Sequence, residues 1–146
     1  GKRHARPIEV SVRADFLCLS ETLMTGALPG MVPSFIPKSY IDDAKLRIQA
    51  YRMLGEVMTR RELDELETQW KDQFGKLPPA VENLLVCGSI RLAAAHAGIT
   101  EVEIKNQKLM LTRNGRLLLI GGKFPRLTEK NGFLLLREAL QLIRSL

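Results

Sequence analysis

The sequence predicts an α+β fold in which consecutive helices pack with an antiparallel β-meander and a C-terminal helix closes the chain. Three observations carry this expectation. Apolar residues recur at helical spacing in three successive blocks, about residues 42–58, 59–74 and 79–97. The period then drops to two over about 101–120, the alternation of strands with one buried face. A last helical pattern occupies about 133–145.

Each element has its own local reason. Ile8 to Ala14 alternates apolar and polar and predicts a strand, with Asp15 to Ser20 as its continuation and the antiparallel sheet as its destination. Residues 25–38 hold Gly26, Pro29, Gly30, Pro33 and Pro37, which predicts an irregular crossing over the surface. Asp42 and Asp43 suit the positive end of the first helix dipole. That helix has two apolar rows: Ala44, Ile48, Tyr51 and Leu54, then Leu46, Ala50, Met53 and Val57. Two rows imply packing on more than one side. Thr59 and Glu62 form a capping-box pattern for the second helix. Its stripe is Leu63, Leu66, Trp70 and Phe74, and Gly75 ends it. Pro78-Pro79 opens the third helix, which is largely apolar and closes at Gly98. Gly88 in its middle costs about 1 kcal/mol against Ala, so a close helix contact there would explain it. Asn106-Gln107 and Asn114-Gly115 are the turns of the meander, the second a type I′ hairpin signal.

A chain of 146 residues fits one domain, 1–146, able to bury roughly 70% of its unfolded surface. Only 5% is aromatic, so the core is expected to be aliphatic. No apolar run reaches the roughly 20 residues of a membrane span, and no signal peptide opens the chain. The first residue is Gly1, so the chain reads as a C-terminal piece of a longer protein, with residues 1–7 disordered or a cloning remnant. Cys18 and Cys87 stand far apart, which reads as reduced thiols in a cytoplasmic protein. With only His4 and His96 beside them, no metal or other cofactor is expected.

Nothing in the sequence marks a reaction centre. Gly121-Gly122-Lys123 lacks the spacing and the hydroxyl of a phosphate-cradling loop. Paired carboxylates at Asp42-Asp43 and Asp64-Glu65 diverge by about 100° on a helix and share no site. The expectation is a domain without catalytic residues. Charge is more informative. Residues 42–75 carry eight Asp/Glu against six Lys/Arg, whereas residues 76–146 carry eleven Lys/Arg against five Asp/Glu. Glu62, Glu65, Gln69 and Asp72 are spaced by three, four and three and line one helix face. That face is either solvated or a docking edge for a basic partner, with Asp72 the first candidate. Lys105, Lys108, Arg113 and Arg116 gather around the meander. They read as a solvated surface or as a phosphate-tracking patch of a nucleic-acid-binding accessory domain. The strands offer no aromatic ladder for base stacking.

The stretch Ile36-Pro37, Ser39-Tyr40-Ile41, Asp43, then Leu46-Arg47 and Tyr51, resembles a family phrase. Glu62-Leu63-Asp64-Glu65-Leu66 and Asp72-Gln73-Phe74-Gly75-Lys76-Leu77-Pro78 follow in the same order. In order and spacing, from Tyr40 to Ile99, the chain resembles the C-terminal domain of bacterial transcription-repair coupling factors. Gln73 stands where the family usually has Arg, and Gln69 where Glu is common, which removes one charge from the acidic edge. The resemblance implies an ATP-driven, helicase-like double-stranded DNA translocase as the parent. Such parents displace RNA polymerase stalled at damage and recruit the recognition ATPase of nucleotide excision repair. It further implies that this domain is autoinhibitory, docking on the parent's own N-terminal module and masking the repair-ATPase-binding surface. No membrane partner is implied.

Overall fold

The helix from Pro79 to His96 has no polar stripe, and the rest of the molecule is arranged around it. In the computed structural model, which describes residues 9–146, the elements run in this order. First come β1 (Ser11–Ala14), β2 (Leu17–Cys18), α1 (Glu21–Thr25) and β3 (Val32–Pro33). The helices α2 (Ala44–Glu56), α3 (Arg60–Phe74) and α4 (Pro79–His96) follow. Then β4 (Ile99–Lys105), β5 (Lys108–Arg113), β6 (Arg116–Leu117) and α5 (Gly132–Arg144) complete the chain. Ile8 and the expectation for residues 1–7 lie outside the described residues.

Two apolar clusters share α4. One joins Ile90 and Ala94 of α4 to Val102, Ile104, Leu109 and Leu111 of the sheet and to Leu136, Ala139 and Ile143 of α5. The other joins Val81 and Leu85 of α4 to Leu54 of α2, to Leu63, Leu66 and Trp70 of α3, and to Ile36 and Ile41 of the preceding segment. A helix that faces core on most sides must be apolar all round, which is why α4 reads as it does. Gly88 lies where the helices meet. A Cβ built there would come within 3.3 Å of Leu54 Cδ1 and 3.6 Å of Leu63 Cδ1. The close contact anticipated for Gly88 is present.

The α+β class, the helices and the antiparallel meander agree with the sequence; the details correct it at the N-terminal strands and α1, and again at α2 and β6. The main sheet has the order β1-β4-β5-β6. Within it β1 pairs with β4 in parallel, from Ser11 opposite Glu101 to Ala14 opposite Ile104. The sheet is therefore mixed. Four helices, α1 to α4, separate β1 from β4, a crossover long enough to return the chain in the same direction. The strand does not continue to Ser20. It turns after Ala14, where Asp15 Oδ2 accepts the Asn106 N–H at 3.0 Å. The chain then forms β2, which pairs in parallel with β3 inside the segment expected to be irregular. The short helix α1 was unforeseen; Ser20 Oγ caps it by accepting the Leu23 N–H at 3.2 Å.

The other two corrections concern α2 and β6. Neither row of α2 is buried along its length: one buried face takes Leu54 from the first row and Ala50 and Val57 from the second, with Met53 partly covered. Ile48 is 60% exposed because nothing among the described residues covers that side. The last strand stops at Leu117 rather than Ile120. Leu118 still donates its N–H to Leu111 O at 2.7 Å, but Leu109 N–H is taken by Pro125 O at 2.8 Å. Residues 125–127 thus occupy the edge of β5, and the intervening chain loops out through a tight turn at Gly121 and Gly122, both at positive φ.

Glu138 of α5 secures the connection before its helix. Its carboxylate accepts the N–H groups of Thr128 and Glu129 at 2.9 Å and the Thr128 hydroxyl at 2.8 Å. Desolvation works against ionisation, but these hydrogen bonds outweigh it and hold the carboxyl below its ordinary range. A depressed folded pKa means stability that is present at neutral pH and lost as pH falls through the folded value. Glu138→Gln is expected to lower the melting temperature at pH 7. The gap from wild type should close as the pH drops below about 4.3, the ordinary glutamate value; thermal melts across pH 3 to 7 test this. Gly88→Leu is expected to destabilise the domain by about 1–3 kcal/mol through overpacking, measured by urea unfolding.

Candidate functional site

The second helix of the trio, α3, is fixed at both ends by local chemistry. Thr59 Oγ1 accepts the Glu62 N–H at 3.1 Å, and its hydroxyl lies 3.2 Å from Glu62 Oε1, so the capping pair forms. Gly75 ends the helix at φ 95°. The Tyr40 hydroxyl then donates to Trp70 O at 3.2 Å and Gly75 O at 2.8 Å, tying the loop before α2 to the end of α3. At the other helix of the pair, Arg91 of α4 donates to Leu54 O at 3.0 Å and Val57 O at 3.2 Å. Burial lowers the Arg91 pKa from its usual value. These two polar clamps hold α2 and α3 at a fixed spacing over α4.

Leu63, Leu66 and Trp70 are buried and Phe74 is partly covered, so the predicted stripe faces inward. Glu62, Glu65, Gln69 and Asp72 are all exposed on the other side of the same helix. Glu65 makes one surface ion pair, 3.5 Å from Arg61 Nε. Surface pairs of this kind are worth a few tenths of a kcal/mol, too little to neutralise the edge.

The structure divides the four residues. Glu62, Glu65 and Gln69 line a pocket of about 310 Å³ between α2 and α3, together with Met53, Val57, Leu66 and Glu56. Asp72 is not among its lining residues. Glu56 was missed by sequence reasoning because it ends a different helix. Only the α2–α3 turn brings its carboxylate beside Glu62 and Glu65.

The basic residues of the meander form no single cluster. Lys105 and Lys108 face each other at the β4–β5 turn, and Arg113 and Arg116 at the β5–β6 turn. The five steps of β5 between Lys108 and Arg113 separate the pairs by about 17 Å. Exposed Glu101 and partly exposed Glu103 lie between them on β4. Glu103 also sits 3.8 Å from Arg13 Nη2 of β1. Arg113 is turned back on the fold, donating to Ala97 O at 3.3 Å.

Among the described residues no group of His, Cys, Asp and Glu is arranged to hold a metal ion. Cys18 and Cys87 are free thiols, and burial pushes the Cys87 pKa up, away from the reactive thiolate. No helix among the described residues is long and apolar enough to cross a membrane.

With α2, α3 and the pocket between them in view, comparison with known proteins becomes informative. The family model described as the TRCF domain matches residues 31–116, from just before β3 to the start of β6. The chain belongs to the TRCF domain family. The transcription-repair-coupling factor of Haemophilus influenzae is 28% identical over 99 residues, 68% of this chain and 9% of that protein. The Escherichia coli protein of the same name is 32% identical over 72 residues, 49% of this chain and 6% of its own length. This TRCF domain thus spans less than a tenth of these curated relatives. A crystal structure of the C-terminal domain of a transcription-repair coupling factor superposes with a TM-score of 0.61. It covers 97% of this chain and 98% of its own at 17% identity, which fixes the likeness at the level of fold.

The split arrangement of basic residues generates a prediction. The isolated TRCF domain should bind duplex DNA weakly or not at all, with no steep gain at low ionic strength. A mobility-shift titration at low and at physiological salt measures it; a single phosphate-tracking patch would instead lose affinity steeply with salt.

Proposed function

We propose that this TRCF domain is a non-catalytic, autoinhibitory domain of a larger transcription-repair coupling factor. The parent, on this reading, is an ATP-dependent DNA translocase of the cytoplasm that displaces stalled RNA polymerase and recruits nucleotide excision repair. The domain docks on the parent's N-terminal module and masks the surface that would receive the excision-repair recognition ATPase. One observation carries the reading: Glu62, Glu65, Gln69 and Asp72 are all exposed along a helix whose opposite stripe is buried. A rigidly held acidic edge suits Arg or Lys of a partner surface and gives little purchase for chemistry.

The energetics of such masking are undemanding. Two modules of one chain meet at an effective concentration on the order of 1 mM, so an intrinsic Kd of about 10 μM keeps roughly 99% of molecules closed. A loss of about 1.4 kcal/mol at the contact multiplies the open fraction about tenfold. Polymerase engagement would then need to contribute only a few kcal/mol to expose the repair surface, by shifting an existing equilibrium.

The charge reversal Asp72→Arg in the full-length parent should weaken closure and raise binding of the repair ATPase in the absence of polymerase. Pull-down or calorimetric titration of full-length protein reads this directly. Unchanged binding by a correctly folded variant would exclude this edge as the contact.

A further inference from the structure

The other flank of α3 carries a charge pattern of its own. Arg60, Asp64, Glu67 and Lys71 are spaced by four, three and four, so they form a row away from Glu62, Glu65 and Asp72. This row faces α5 across α4, and two pockets lie between, of about 380 Å³ and about 480 Å³, with Ser89 of α4 lining both. The smaller is electrically balanced. Asp64, Glu67 and Glu82 stand there with Lys71, Lys76 and Arg137, and Lys71 Nζ pairs with Glu67 at 2.9 Å. The larger is not. Arg60 at the start of α3, His96 at the end of α4 and Arg144 at the end of α5 converge on it, and no Asp or Glu lines it. Its apolar wall includes Met58, Leu92, Ala93 and Ala97, all of them reaching solvent at least in part.

The two arginines are uncompensated. None of the ion pairs among the described residues involves Arg60 or Arg144. Leu146 borders the cleft, yet its terminal carboxylate pairs with neither. Partial burial, and then the like charge of Arg60, lower the Arg144 pKa, with Asp64 acting in the opposite sense.

We infer that this cleft is a second binding surface, for an acidic protein segment whose apolar side chain enters beside Leu92 and whose carboxylates meet Arg60 and Arg144. It goes beyond the docking edge proposed above and does not depend on it. The chemistry of the cleft selects the occupant. A cationic segment would meet two guanidiniums with no counter-charge. A wholly apolar one would desolvate them unpaired. A nucleic-acid strand needs cations spread along its backbone and rings on which its bases stack, and no aromatic residue lines the cleft. A carboxylate, by contrast, fits the guanidinium fork through charge-assisted hydrogen bonds. The cleft also falls in the size range of ligand pockets, roughly 300–1,000 Å³. Past Ser89 the balanced pocket lets a longer segment continue without a further charge requirement.

The test adds a fluorescently labelled peptide, Asp-Asp-Leu-Phe-Asp-Leu-Asp, to this 146-residue chain and reads anisotropy. One control peptide replaces each Asp by Asn, and another replaces Leu and Phe by Ser. Saturable binding of the first peptide is expected, with a loss of at least about tenfold for either control. Arg60→Glu should weaken binding at least about tenfold and Arg144→Gln at least about threefold. Both residues are exposed, so the core stays intact, and melting curves verify it. Arg61→Glu, next to Arg60 but outside the cleft, should change binding less than twofold, as should Asp72→Arg on the far flank. Absence of binding up to about 1 mM peptide would overturn the inference. So would equal binding of either control peptide, or an Arg61→Glu loss as large as that of Arg60→Glu, which would mean attraction to surface charge alone.

Discussion

The close approach of three helices at Gly88 is the constraint on which the rest of the structure depends. Leu54 of α2 and Leu63 of α3 both reach the space that a side chain at this position would fill. Because α4 contributes to both apolar clusters, that approach sets how the α2–α3 pair sits relative to the sheet. A mid-helix glycine lowers helix propensity by about 1 kcal/mol, and the tight packing it permits is the compensating gain. Asn83, fully buried in the same helix, is satisfied by donating to Pro33 O at 2.8 Å, which ties the irregular segment to α4 as well.

Packing alone would leave α2 free to slide along α3, since both are short and each buries one stripe. The polar clamps remove that freedom. Arg91 reaches from α4 to the carbonyls at the end of α2, and Tyr40 reaches from the preceding loop to those at the end of α3. Tyr40 also packs against Phe74 with ring centroids 5.7 Å apart. The groove between the helices is a consequence of this fixed spacing, and so is its charge, because the turn that joins them brings Glu56 next to Glu62. A surface preorganised in this way would lose little conformational entropy on binding a partner.

The distribution of charge follows the architecture. Acidic side chains cluster on the helical layer, where Glu56, Glu62 and Glu65 line one pocket at the α2–α3 turn. Basic residues on the sheet layer are dispersed to the two ends of β5 and interleaved with Glu101 and Glu103. A net charge of +6 therefore says little about partners; position decides what a charged group can meet.

Local chemistry made much of the fold legible. The Thr59–Glu62 cap, the stripe from Leu63 to Phe74, the proline start of α4 and the Asn114-Gly115 turn each act within a few residues, so reading the chain in order finds them. The largely apolar character of α4 was legible too, and its place in both apolar clusters is the physical reason for it. What the sequence could not decide was which distant segments meet. The parallel pairing of β1 with β4, the small β2–β3 sheet and the capture of the β5 edge by residues 125–127 all depend on long-range register. The exposure of Leu46, Ile48 and Tyr51 on α2 has the same cause: periodicity gives the faces of a helix but not the number of neighbours it will have. Glu62, Glu65, Gln69 and Asp72 could be placed on one helix face from spacing alone, because i, i+3 and i+4 geometry is local. Glu56 joined them, and Asp72 left the pocket, only through the packing of one helix against another, since a groove belongs to two elements and is encoded in neither.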